Sequence, residues 1–149
     1  MSNYPAAPHY LLEQSICNYL MSASMASGSM LSGSIYTCYT GMGNVDVISP
    51  PAVIVDASDN RETIPFSRVM EFNVKIHVKE MAEETTNIGV LAGGIFNEFM
   101  DSKNASNNFS NTGSYFINIW QVQVMGMYPN TSGDTLVNSF EAKMIGALI

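Results

Sequence analysis

Between residues 68 and 81 the chain reads RVMEFNVKIHVKEM, where Met70, Phe72, Val74, Ile76 and Val78 alternate with Glu71, Asn73, Lys75, His77 and Lys79. Strand side chains point alternately to the two faces, so this period predicts a long strand with one buried and one polar face. The alternation returns near the C-terminus, where Phe140, Ala142, Met144 and Gly146 are set against Glu141, Lys143 and Ile145. Before it, YFINIWQVQVMGMY is rich in β-branched and aromatic residues, and the turn-forming PNTSGD follows. These features predict the chain's longest strand and a closing antiparallel hairpin. Ala52 to Val55, following Pro50 and Pro51, form a shorter β-branched run. The segment DASDNRETIPFS after them exceeds a tight turn and reads as a projecting loop.

Two segments carry helical spacing instead. Leu12, Ile16, Tyr19 and Leu20 fall on one stripe and predict a helix over 8–22. Ile88, Leu91, Ala92, Ile95 and Phe99 predict a second, over about 87–101, with Thr86 as its N-cap. Gly93 and Gly94 inside it should each cost about 1 kcal/mol relative to Ala, which predicts that a neighbouring backbone approaches there. Ser22 to Gly43 is rich in Ser, Gly and Met and reads as a loop with a short strand at Ile35 to Tyr39. The resulting order predicts an α+β fold over residues 1–149 as a single domain: a mostly antiparallel sheet with two helices packed on one face.

Composition narrows the function classes. Thirteen acidic against six basic residues give a net charge of −7, which argues against a phosphate-binding surface. Only 13% of residues are charged, about half the usual share, so the surface rests on Ser, Asn, Thr and Gly and suits coverage by a partner. The N-terminal MSNYPAAPHYLLEQ lacks the basic start and apolar core of a secretory signal, and no apolar run reaches the ~20 residues of a membrane span. The expected location is therefore the cytoplasm, with Cys17 and Cys38 as free thiols.

Candidate chemistry is sparse. His9 and His77 have no Cys or carboxylate at metal spacing and read as satisfied surface histidines. LAGGI lacks the spacing of either nucleotide fingerprint and signals packing. Glu80, Glu83 and Glu84 flank a helix start, where negative charge complements the helix dipole without any catalytic role. The eleven methionines read mainly as filler for the core and for subunit contacts. No cofactor, metal or enzymatic activity is expected.

Taken in order, PPAVIVDASDN, RVMEFNVKIHVKE, NIGVLAGGIFNEFMD, FINIWQVQVMGMY and NSFEAKMIGAL resemble the tail terminator and tail completion family of long-tailed bacteriophages over roughly residues 50–148. The resemblance implies a non-enzymatic virion part assembled in the host cytoplasm. Its subunits close into a ring, commonly of six, that caps the tail tube and joins it to the head connector or stopper protein while DNA passes through the channel. The long Ser22 to Gly43 stretch departs from the pattern and keeps open a related neck or minor tail protein. A stand-alone non-enzymatic binding domain is the reading from another class.

Contact residues follow from these expectations. Arg61 and Phe66 lie in the loop from Asp56 to Phe66, and Phe109 in the loop from Ser102 to Ser114; long polar loops on rigid sheets carry recognition. Glu71 is the acidic group on the polar face of the alternating strand. Lys75 and Lys79 share that face and are expected to pair with Glu80, Glu83 and Glu84 across subunit contacts.

Overall fold

The computed structural model describes residues 7–21, 37–41, 52–63, 65, 67–81, 90–101, 109–110, 117–132 and 135–148. Among these residues the order is α1 (Pro8–Leu20), β1 (Thr37–Thr40), β2 (Ala52–Glu62), β3 (Val69–Met81), α2 (Val90–Met100), β4 (Ile117–Val124), β5 (Tyr128–Ser132) and β6 (Thr135–Leu148). The strands make one sheet in the order β1-β2-β3-β6-β4, with β5 also paired to β6. Among the described residues only the β1–β2 pairing is parallel. The fold is α+β, as the periodicities predict.

The alternation in β3 and β6 places their apolar sets on the same face. Phe72, Val74, Ile76 and Val78 are fully buried, and Phe140, Ala142 and Met144 lie beside them across the β3–β6 ladder. Both helices pack on this face. Helix α1 brings Leu11, Leu12, Ile16 and Leu20, and α2 brings Leu91, Ala92, Ile95 and Phe99. Pro8 fits the first turn of α1, where its missing N–H costs nothing, and the Tyr10 and Leu11 N–H groups donate to Ala7 O. Between the helices Phe99 meets Phe109 and Phe140 at ring-centroid distances of 4.7 and 5.3 Å. Tyr19 Oη donates to Glu98 Oε2 at 2.8 Å and ties α1 to α2.

Several expectations are corrected. The segment after Val55 does not project: β2 continues to Glu62 against β3, with a bulge between Asp56 and Asp59. Polar composition here reflects the outer end of a sheet, because cross-strand partners satisfy the backbone whatever the side chains. Strand β3 begins at Val69 because Arg68 adopts a left-handed φ of 62°. The aromatic-rich run breaks after Val124 into β4 and β5, so β6, with 14 residues, is the longest strand among the described residues. The PNTS of the expected turn belongs to β5. Gly93 has nothing near its missing Cβ; the close approach is at Gly146, where a Cβ would meet Asn118 O at 2.5 Å. Among the methionines Met144 is buried, while Met21, Met100 and Met125 are exposed. Thr86 and residues 22–36 of the Ser- and Gly-rich stretch lie outside the described residues.

Candidate functional site

Strand register builds the outer face, the one turned away from the helices. Lys75 stands directly between Asp56 of β2 and Glu141 of β6, Asn73 between Asp59 and Lys143, and Glu71 between Arg61 and Ile145. Directly opposed residues share a face, so these rows form a lattice of alternating charge. Glu71 joins it by bonds as well as position: Lys143 Nζ lies 3.2 Å and Arg61 Nη2 3.6 Å from its carboxylate. Asn73 Nδ2 donates to Asp59 Oδ2 at 3.1 Å. Arg61, Lys75, Lys79 and Lys143, four of the six basic residues, share this face with Asp56, Asp59, Glu71 and Glu141, although Lys79 stands between Ala52 and Val137. It is charge-balanced although the chain carries −7.

His77 lies further along the same face. Its Nδ1 is 2.7 Å from Ser139 Oγ, directly across the β3–β6 ladder. Burial holds its pKa below the ordinary 6.5; the Asp56 charge opposes that shift and Lys75 adds to it. Asp56 is opposite Lys75 and therefore diagonal to His77, and Ser139 is buried mid-strand. The contact satisfies two polar groups inside the sheet, and no hydrogen bond between Asp56 and His77 is present among the described residues. Among the described residues no group of three or more His, Cys, Asp or Glu side chains is placed to hold a metal ion. No helix among them is long and apolar enough to cross a membrane.

The bulge in β2 has its own chemistry. At the bulge two backbone N–H groups donate to side-chain carboxylates. Asp56 Oδ1 accepts from Ser58 N–H at 3.0 Å, and Glu13 Oε1, reaching from α1, accepts from Ala57 N–H at 3.2 Å. Glu13 is buried, and its Oε2 has no hydrogen-bond partner among the described residues. Burial pushes the carboxyl up to about 7; the Ala57 N–H pulls it back and the Asp56 charge adds a smaller push.

The predicted contact residues divide. Arg61 and Glu71 come together, but within one subunit. Lys75 faces Asp56 and Glu141 of its own chain, and Lys79 is buried. Glu80 is buried on the opposite face, where its Oε1 accepts from the Leu91 N–H in the first turn of α2 at 3.2 Å. That is the capping role expected from its position, and it removes Glu80 as a partner for lysines of another subunit. Phe109 is fully buried against Tyr19 and Phe99, so it is a core residue and no contact residue. A lone apolar residue within Asn-rich sequence carries no periodic signal of burial. Phe66, Glu83 and Glu84 lie outside the described residues.

Sequence patterning does not announce the outer edge. Trp120, Met125 and Tyr128 are exposed by 54%, 54% and 52% along β4, β5 and the segment joining them. Trp120 is the extra residue where the β4–β6 register shifts between Ile119 and Gln121. An unbroken strand from Ile117 to Tyr128 would hide this break, which Gly126 alone marks in residue type. The sequence matches no family model and no characterised protein.

Proposed function

We propose that the chain is a structural subunit of a long-tailed bacteriophage particle, a tail terminator or completion protein that closes into a ring of identical copies, six by the family pattern. The observation that carries the association is the asymmetry of the sheet. One face is sealed by helices, while the β4–β5 edge leaves Trp120, Met125 and Tyr128 more than half exposed. Exposed aromatic and methionine side chains of this kind favour protein contacts. The opposite edge, β1, is four residues long and chemically different. Contact between unlike surfaces of identical subunits is head-to-tail, which generates a ring when the rotation closes.

Side chains dominate that contact. Pro129 in β5 has no N–H to donate, and the bulge at Trp120 bends β4, so the edge is poorly suited to extending a ladder into another copy. The position in the tail rests on the resemblance in element order. A charge-balanced outer face is compatible with a channel that passes DNA without holding it, since tight phosphate binding needs clustered uncompensated basic groups. Protein contact rather than catalysis is the proposed activity.

Particles produced without this chain should accumulate as separate heads and tails, and adding the purified protein should join them, as scored by electron microscopy. Complete particles in its absence contradict the reading. At the level of the contact, the double substitution Trp120→Glu with Tyr128→Glu should abolish self-association in sedimentation while leaving the circular dichroism unchanged. Unaltered association would remove the β4–β5 edge from the interface.

A further inference from the structure

We propose that Cys17 and Cys38 form a reversible redox pair, in which oxidation joins them by an intramolecular disulfide that clamps the edge strand β1 to helix α1. The two sulfurs stand 2.7 Å apart although the residues are 21 positions apart in sequence. Each is held by its own element. Cys17 is on the buried side of α1, where Sγ also lies 3.6 Å from Tyr39 O. Cys38 is inside β1, its backbone fixed in register with Val53 of β2. Forming the bond requires the sulfurs to close from 2.7 Å to about 2.05 Å.

The clamp acts on a weakly anchored part of the sheet. Strand β1 has four residues and one sheet neighbour, β2, among the described residues. A covalent tie to α1 restricts the unfolded chain and resists detachment of this edge. The proposal is independent of the ring reading, since the tie lies within one subunit.

The reaction balances with a small-molecule disulfide such as oxidised glutathione. A thiolate formed at Cys38, the more exposed of the two, attacks that disulfide, forms a mixed disulfide and expels one glutathione thiolate. The Cys17 thiolate then attacks the Cys38 sulfur and expels the second. The protein loses two protons and two electrons, and two molecules of reduced glutathione carry them away. Hydrogen bonding to Cys17, and then burial, push the Cys38 thiol well above its usual range, so the thiolate is scarce and the exchange speeds up with rising pH.

The test treats the folded full-length protein with excess oxidised glutathione, then blocks remaining thiols and measures intact and peptide masses. The expected product is a monomer lacking two hydrogens, with a Cys17–Cys38 linked peptide and no blocked thiol. Its melting temperature should exceed that of the reduced protein by roughly 5–10 °C. Cys17→Ser should instead hold a stable glutathione adduct on Cys38. Two freely blocked thiols, a disulfide between chains, or a linked protein that melts no higher than the reduced one would overturn the proposal. The wild-type measurement is decisive even if the variant folds poorly.

Discussion

Glu13 stands where a negative charge is costly, buried between α1 and the bulge of β2 with one oxygen unpaired among the described residues. Its pKa near 7, against an ordinary 4.5, means that the folded protein keeps a proton that the unfolded chain has released between those values. The stability this provides is complete below pH 4.5 and is lost as pH rises through 7, a change on the order of 3 kcal/mol. Glu13→Gln should flatten this decline and be the more stable protein above pH 7, as read from urea midpoints across pH 4.5–8; a wild-type slope in the variant would exclude Glu13 as the group. His77 acts with the opposite sign. Its lowered pKa gives stability above 6.5 that is lost as pH falls, so the variant isolates a term that the two groups partly cancel in the native protein. Phe109 provides a second test at this scale. As a core ring, Phe109→Ala should cost about 3–5 kcal/mol of unfolding free energy, whereas a residue used only in a subunit contact would leave monomer stability nearly unchanged.

The elements owe their placement to a few local irregularities as much as to periodicity. Gly146 allows the β4 backbone to approach β6, with Asn118 O and Ile119 Cα 2.5 and 3.1 Å from where a Cβ would stand. Backbone cannot move aside as a flexible side chain does, so Gly146→Ala should destabilise the fold by ~1–3 kcal/mol in denaturant titration; a neutral outcome would mean that β4 shifts freely along this edge. The strands β3 and β6, both helices and the buried face were legible from spacing, because burial on one face imposes a period that survives in sequence. The bulges at Asp56–Asp59 and Ile119–Gln121 and the break after Val124 were not. Each depends on which residue of a partner strand stands opposite, a relation between distant segments that no local window contains. The same limit applies to the candidate site. The polar face of β3 was readable, but its partners within the chain follow from register, and the exposed edge follows from the break between β4 and β5.

Across the whole molecule, basic charge is concentrated on one face, while exposed large apolar side chains occur at both helices and along the β4–β5 edge. Most basic residues sit in the balanced lattice of the outer face, so the acidic excess of the chain lies largely off it. The exposed Trp120, Met125 and Tyr128 sit at one edge, while the other ends in the short β1. Such a subunit has two unlike ends, which suits head-to-tail closure better than a two-fold dimer, where the same patch must meet itself. The most direct measurement is native mass spectrometry of the purified full-length protein over a wide concentration range. The proposal predicts one closed species of six copies that persists on dilution and is lost on substitution of Trp120 and Tyr128 with Glu. A monomer at every concentration, or a dimer indifferent to those substitutions, would contradict it.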